Sequence, residues 1–221
     1  MSEKNTTATL RSFTNIGVLE STLPDDLFQF LKTSIDNLTE DSETYNLRLS
    51  GHIREEYSLD HINDTMSSYI IALANAWHAA HPGYIDKFEE VTKNNNYELQ
   101  LDRLWVNKQK KYEFNPLHTH PSVLSFVIWV KIPYKLEDEM QYFPAMSGNA
   151  TDRGSVFTSQ FCFVYLDSLG KITKMPVPVD SNYEGTIMMF PSSLNHIVYP
   201  FYTSDEYRIS VSGNIKINVL G

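Results

Sequence analysis

The stretch NPLHTHPSVLSFVIWVKIP, residues 115–133, places two histidines directly before the most continuous apolar, β-rich run of the chain. Residues 122–132 are mostly β-branched, aromatic and other large apolar side chains, a composition typical of a strand that is covered on both faces. The run therefore predicts a central strand of a β-sheet. His118 and His120 lie just before this run, and they are the first candidates for a functional site.

The spacing of His118 and His120 suits a metal ion. In an extended chain, side chains two residues apart point to the same face, with Cα atoms about 6.5–7 Å apart. Two imidazoles can reach one ion from there, at about 2.0–2.1 Å each. Asn115 and Pro116 interrupt the strand ladder and predict that the pair lies at a strand end, facing a cavity. The alternative is that both histidines are ordinary surface or core residues. Further ligands elsewhere in the sequence would favour a metal site over this alternative.

Two later segments supply partners for the histidine pair. In MMFPSSLNHIVYPF, residues 188–201, His196 sits on another β-rich stretch and would complete a facial set of three ligands, which leaves positions open for substrate. In RISVSGN, residues 208–214, polar and non-polar side chains alternate. Arg208 and Ser210 on its polar face could hold a carboxylate. A solvent-exposed edge strand is the alternative for this face.

The distance along the chain between His196 and Arg208 also favours a shared site. One short strand and a turn separate them, so antiparallel neighbours would bring both to one cavity.

The remaining pattern predicts a chain that is helical first and β second. Helices are expected at 21–40 and 59–83, and strands from residue 97 onwards. About seven or eight strands favour a mainly β fold, a sandwich or jelly-roll barrel with the helices packed outside. We expect one domain over residues 1–221, with 1–96 as mostly helical support and 97–221 as the jelly-roll core. Residues 135–158 are expected to form an irregular loop over the mouth of the barrel.

Composition excludes several classes of function. The 221 residues carry a net charge of −9, which argues against general nucleic-acid binding. The single cysteine, Cys162, allows no internal disulfide and no cysteine-rich zinc site, and it favours a reducing compartment. The longest apolar stretch, residues 69–77, is too short to cross a bilayer. We expect a soluble cytoplasmic protein, in the cytoplasm of a host cell if it is viral, without a membrane partner; an oligomer is left open.

The order H-x-H, then H, then R-x-S resembles the signature of the Fe(II)- and 2-oxoglutarate-dependent oxygenases. The resemblance covers roughly residues 97–217 and is closest to bacterial and phage members distantly similar to prolyl hydroxylases. It implies a double-stranded β-helix, the jelly-roll or cupin-like barrel of that superfamily. It also implies Fe(II), 2-oxoglutarate as cosubstrate, and O₂.

By this resemblance, His118 and His196 are metal ligands, and Arg208 with Ser210 binds the far carboxylate of 2-oxoglutarate. His120 occupies the position where most of the superfamily has Asp or Glu. It is expected as the third ligand, with a carboxylate from Glu113 or Asp138 as the alternative. Other candidates are three residues that could point a polar atom at the keto acid, Asn107, Tyr112 and Ser125, and two that could contact substrate or pack in the core, Trp105 and Trp129.

The resemblance implies a dioxygenase that hydroxylates a protein or peptide side chain or a small molecule and releases succinate and CO₂. Two alternatives stay open. One is a three-histidine cupin-type metalloenzyme that needs no 2-oxoglutarate. The other is a non-catalytic jelly-roll binding module.

Overall fold

The computed structural model describes residues 16–59, 62–94, 96–142 and 157–220. Within these ranges the chain forms four α-helices and ten β-strands. The helices are α1 (Asp25–Asp36), α2 (Asp64–Ala80), α3 (Glu89–Lys93) and α4 (Leu136–Tyr142). The strands are β1 (Leu19–Thr22), β2 (Glu55–Ser58), β3 (Tyr97–Gln109), β4 (Asn115–His118), β5 (Leu124–Lys131), β6 (Phe161–Leu166), β7 (Ile172–Val177), β8 (Thr186–Pro191), β9 (Asn195–Val198) and β10 (Arg208–Val219).

The strands form two antiparallel sheets that face each other. The larger sheet has six strands in the order β1-β8-β5-β10-β3-β2, and the smaller has four in the order β4-β9-β6-β7. This is the expected mainly β, jelly-roll fold, although the barrel is not closed. The functional residues lie where the two sheets face each other.

The first two helices cover the outer face of the larger sheet. Asn63 caps α2, because its Oδ1 accepts the N–H of Met66 at 2.8 Å. Apolar residues at helical spacing then form one buried stripe, which packs with the buried face of α1 against the sheet. The stripe of α2 consists of Met66, Ile70, Ala74 and Trp77. No helix in the described ranges combines the length and the apolar character that a membrane crossing requires.

Strand β5 is central and buried on both faces, as its apolar run predicts. Phe126 and Ile128 belong to the core beneath the helices. Val127 and Trp129 belong to a second core between the sheets. Alternating side chains of one strand therefore tie together both layers of the fold.

The structure differs from the sequence expectation in three places. Residues 136–142 of the expected irregular loop form α4, while residues 143–156 lie outside the described residues. The mostly helical first third also contributes β1 and β2, which occupy the two edges of the larger sheet. Strands β2 and β4 lie in stretches whose Gly, Pro and polar residues obscure the two-residue period, so the expected number of strands was too low.

Candidate metal centre

The structure brings His118, His120 and His196 together. One ring nitrogen from each lies within 4.8 Å of the others. His118 is the last residue of β4 and stands directly opposite His196 of β9. Two short strands of the smaller sheet thus place two imidazoles side by side, although 78 positions separate them in the sequence.

His120 reaches the group differently from the expected pair on one strand. Strand β4 ends at His118, and His120 lies in the turn that follows. Its backbone N–H donates to the carbonyl of Ser192 at 2.9 Å, which fixes the turn against the end of β8. The close approach of the two side chains therefore comes from the turn and its anchor, and not from strand pleating.

Backbone carbonyls orient two of the imidazoles. The carbonyl of Pro116 lies 2.7 Å from Nδ1 of His118, and the carbonyl of Leu194 lies 2.9 Å from Nδ1 of His196. A carbonyl accepts only, so each Nδ1 carries the proton and each Nε2 presents a lone pair. This arrangement is the usual outer support of metal-binding histidines.

The free nitrogens stand at a separation that suits one ion. Nε2 of His120 lies 3.3 Å from Nε2 of His196. Two ligands about 2.1 Å from one ion, at right angles to tetrahedral angles, stand about 3.0–3.4 Å apart. Because His196 presents a lone pair here, the two nitrogens need a shared proton or a shared cation. The donor set therefore fits a transition metal such as iron.

Burial keeps the three imidazoles neutral. It lowers the pKa of His118, with the bond to Pro116 opposing the shift. Burial and the neighbouring His118 lower the pKa of His120 to about 4. Burial and both other rings lower the pKa of His196 well below its usual value. Neutral imidazole is the form that binds metal, so the group is ready for an ion near neutral pH.

The three histidines border a narrow cavity of about 50 Å³ between the sheets. Arg208 lines the same cavity. It does so from the larger sheet, while His196 belongs to the smaller one, so the two are not on neighbouring strands as the spacing suggested. The remaining lining residues are Leu49, Ser50, Ile53, Trp105, Asn107, Gln109, Asn115, Phe126, Val127, Trp129, Phe161, Phe190, Val198, Ser210 and Ser212.

Arg208 is buried and held entirely by neutral groups. Its Nε and one terminal nitrogen donate to Oε1 of Gln109 at 3.1 and 2.6 Å. The same terminal nitrogen donates to the carbonyl of Tyr199 at 3.0 Å, and the other donates to the hydroxyl of Tyr134 and the carbonyl of Ser159, both at 2.6 Å. Among the described residues, no carboxylate forms an ion pair with this guanidinium. A buried cation without a partner charge favours an anionic ligand.

Polar side chains continue from Arg208 along the cavity wall. The Asn107 side-chain nitrogen lies 3.2 Å from the hydroxyls of both Ser210 and Ser212. Its buried Oδ1 has no hydrogen-bond partner, so the amide keeps one polar atom for a ligand. Trp105 and Trp129 line the same cavity, each only 3% exposed.

Several sequence candidates do not reach the cavity. Tyr112 is 56% exposed and lines an outer groove. Ser125 is buried one layer back, where it bonds to Ser192 and Asn214. Neither alternative carboxylate belongs to the histidine group. Glu113 instead accepts the N–H of Lys110 at 2.8 Å, and Asp138 lies on α4.

Sequence reasoning missed Gln109 and Tyr134, which hold Arg208. The alternation of Trp105, Asn107 and Gln109 along β3 was a usable signal, because these residues share the face that lines the cavity. Tyr134 gave no such signal, since it follows β5 in an irregular segment.

Comparison with protein families gives one match. Residues 103–214, just over half of the chain, match the family described as "Putative 2OG-Fe(II) oxygenase". No curated protein matches the chain significantly.

Several solved structures are similar over most of their length. A prolyl-4-hydroxylase of Pseudomonas putida has 15% identity and a TM-score of 0.48, covering 93% of this chain and 94% of that chain. The viral collagen prolyl hydroxylase of Paramecium bursaria Chlorella virus-1, a 2-oxoglutarate complex, has 11% identity and a TM-score of 0.46, covering 90% and 94%. HygX of Streptomyces hygroscopicus, with nickel and 2-oxoglutarate bound, has 12% identity and a TM-score of 0.46, covering 92% and 83%.

The family match includes every histidine of the metal group as well as Arg208. The chain therefore belongs to the 2-oxoglutarate- and Fe(II)-dependent oxygenases, which are non-haem iron enzymes.

Proposed function

We propose that the protein is a cytoplasmic dioxygenase that hydroxylates a C–H bond of a protein or peptide side chain, or of a small molecule. The observation that carries this proposal is the convergence of three neutral imidazoles and one buried guanidinium without a partner charge on a single cavity. The cytoplasmic location rests on the single cysteine.

We assign the metal to Nε2 of His118, His120 and His196, with His120 in place of the usual acid. Bound Fe(II), with 2-oxoglutarate and O₂, supplies oxidising chemistry that hydroxylates substrate and yields succinate and CO₂. The carbonyls of Pro116 and Leu194 hold two of the rings in the tautomer that binds metal. Three neutral ligands leave the full charge of the ion uncompensated, which favours anionic cosubstrates.

Arg208 is proposed to bind the far carboxylate of 2-oxoglutarate, with Ser210 and Asn107 beside it. All five N–H groups of Arg208 already point at neutral acceptors. A carboxylate would replace one or two of these acceptors and form stronger, charge-assisted bonds. Trp105 and Trp129 wall off the cavity and reduce the access of water to it.

The test uses purified protein with Fe(II) and 2-oxoglutarate. Without oxygen, a weak visible charge-transfer band is expected, and in air, succinate is expected even without substrate. Absence of both signals would count decisively against the proposal.

A second candidate is a three-histidine dioxygenase that uses no keto acid. The all-histidine donor set and the complete pairing of Arg208 favour it. Arg208→Lys separates the two candidates, because it keeps a buried positive charge but loses the planar guanidinium that can bind a carboxylate through two parallel hydrogen bonds. Lower affinity for 2-oxoglutarate with unchanged metal binding supports the first candidate. Unchanged affinity for both supports the second.

A further inference from the structure

One part of the cavity wall comes from outside the matched family region. Leu49, Ser50 and Ile53 line the cavity, whereas all other described lining residues lie between positions 105 and 212. The family match begins at residue 103. The candidate metal ligands and Arg208 thus lie in the family region. A separate N-terminal segment, residues 49–53, forms one side of the cavity.

Several contacts hold this segment in position. The Asn46 side chain, three residues before the segment, donates to the carbonyls of Ile53 and Arg54 at 2.8 and 3.2 Å, which fixes the end of the segment next to its start. The N–H of His52 donates to the carbonyl of Phe114 at 2.9 Å, and the two rings stack with centroids 4.7 Å apart. Gly51 touches the Asn115 side chain so closely that a Cβ would lie 2.0 Å from Oδ1.

The cavity behind this segment is too narrow for a substrate as it stands. It measures about 50 Å³, while ligand pockets typically measure about 300–1,000 Å³. The walls must therefore part. The sheet strands are held by ladders of backbone hydrogen bonds, whereas residues 49–53 belong to no strand of either sheet.

The lining chemistry selects a neutral guest. Among the described residues, no carboxylate lines the cavity, and its one guanidinium is assigned to the cosubstrate. A charged side chain entering there would be buried without a partner, which is costly. The segment contributes Leu49 and Ile53 to the lining, and Val198 adds a further aliphatic side chain.

A groove of about 950 Å³ lies on the outer side of the segment and shares Ile53 with the cavity. Its charged residues are balanced, with Arg54, Lys110 and Lys111 against Glu55, Glu113 and Asp205. Arg54 lies 3.8 Å from Glu113, and Lys111 lies 2.5 Å from Asp205. The exposed ring of Tyr112 forms part of the same groove. The groove thus adjoins the cavity at Ile53 and carries no excess charge.

We propose that residues 49–53 select the substrate, and that the groove docks a polypeptide whose neutral aliphatic side chain passes Leu49 and Ile53 to reach the metal. This inference rests on the proposed oxygenase function and narrows its substrate class.

The test compares capped pentapeptides Gly-Gly-X-Gly-Gly, with X as Leu, Pro, Lys or Glu. Succinate formation by the iron-loaded full chain is measured, and quenching of tryptophan fluorescence gives peptide affinity with Mn(II) in place of iron. The Leu or Pro peptide should raise succinate above the rate without peptide, and the Lys and Glu peptides should not. Leu49→Ala should weaken binding of the preferred peptide about tenfold, because an aliphatic contact is lost.

Two further variants sharpen the result. Leu47→Ala is the matched control, since Leu47 lies in the same stretch but is fully exposed and does not line the cavity. Leu49→Glu should shift the preference towards the Lys peptide by supplying a partner charge. The proposal is overturned if charged peptides work as well as Leu or Pro with the unaltered protein, if no peptide has any effect, or if Leu49→Ala behaves like Leu47→Ala. Succinate formation that persists without a peptide response overturns the selecting segment alone, whereas no succinate under any condition overturns the oxygenase function as well.

Discussion

At the scale of single residues, His120 carries the main departure from the family pattern. By the resemblance to the family signature, it stands where an acid is usual, yet its half-buried ring places Nε2 at 3.3 Å from that of His196. No carboxylate belongs to this group in the part of the chain that the structure describes. We therefore propose His120 as a ligand of an all-imidazole centre.

Changing His120 tests that interpretation. His120→Ala should lower Mn(II) affinity on the order of a hundredfold, because even outer supports of a ligand are worth 10–100-fold. His120→Asp should recover most of the loss, since it restores the usual acid. Calorimetric titration with Mn(II) measures both. The control is His78→Ala, because His78 bonds to Tyr97 and lies outside the cavity. Equal affinities for His120→Ala and the unaltered protein would exclude His120 as a ligand.

Glu56 is a second residue with an unusual environment. Burial, together with the charge of Glu113, raises the pKa of Glu56 to about 7, and its buried Oε1 has no partner. The folded state thus holds a proton that the unfolded state releases above its usual pKa of 4.5. By linkage, the contribution of this group to stability is present below pH 4.5 and is lost as the pH rises towards 7.

Glu56→Gln should therefore stabilise the protein at pH 8, by about 1–2 kcal/mol, since one pKa unit corresponds to about 1.4 kcal/mol and relaxation reduces the full shift. Near pH 4.5 the variant should gain little. Urea unfolding at both pH values measures this difference. A gain that is equal at both pH values would show that the pKa of Glu56 is not raised in the folded state.

How far single residues could be predicted depended on their neighbours in sequence. The R-x-S alternation places Arg208 and Ser210 on the cavity wall, because short-range periodicity determines which face of a strand a side chain occupies. The H-x-H spacing identified the right pair of histidines, but His120 lies beyond the end of β4 and is placed by its backbone bond to Ser192. The prediction that Tyr112 points a polar atom at the keto acid was wrong. Tyr112 adopts a left-handed conformation with φ of 71°, which breaks the alternation after β3 and turns its ring outwards.

At the scale of secondary-structure elements, β10 organises the site. It lies between β5 and β3 in the larger sheet. Its face with Arg208, Ser210 and Ser212 lines the cavity, while Val211 packs in the core beneath the helices. One strand thus contributes to the core of the fold and also carries the residues that we propose to bind the cosubstrate.

Gly213 shows how tightly β10 is packed. A Cβ there would lie 2.5 Å from the Phe126 ring and 2.8 Å from the carbonyl oxygen of Arg103. Gly213→Ala should destabilise the protein by about 1–3 kcal/mol, because the core must shift to accept the methyl group. Lys216→Ala, on the exposed part of the same strand, should stay within about 0.5 kcal/mol of the unaltered protein. Similar midpoints of thermal unfolding for the two variants would contradict this packing.

Elements with a long, regular pattern were the predictable ones. The alternation over residues 97–109 and the continuous apolar run before Lys131 correspond to β3 and β5. Two short elements were not predictable in this way. Strand β4 has four residues and contains Pro116, and α4 has seven residues with three acids, so tertiary contacts determine both. In α4, the buried carboxylate of Glu139 accepts the N–H groups of Tyr202 and Thr203, a contact that no local pattern shows.

At the scale of the whole molecule, two facing sheets bring the three histidines proposed as metal ligands and the buried guanidinium to one cavity. Both sheets are needed, because His196 comes from the smaller sheet and Arg208 from the larger one. This spatial meeting of distant segments could not be derived from spacing within either segment. The family resemblance supplied it, and the structure shows how the strands achieve it.

The neutral histidine group also predicts how global stability depends on pH. The pKa values of all three imidazoles are lowered in the folded protein, to about 4 for His120. Unfolded chains take up these protons below about pH 6.5, so the metal-free protein should lose stability as the pH falls from 6.5 towards 4. Thermal unfolding across that range measures the loss. It should be smaller in His120→Gln, and an identical loss in that variant would contradict the assignment.

The most direct test of the metal centre is a crystal of the protein soaked with Mn(II) and 2-oxoglutarate. Anomalous scattering would locate the ion without reference to any assumed ligand. We expect one strong peak bound by Nε2 of His118, His120 and His196, with the far carboxylate of the keto acid on Arg208. An ion bound elsewhere, or a keto acid that leaves Arg208 on its neutral partners, would contradict the account.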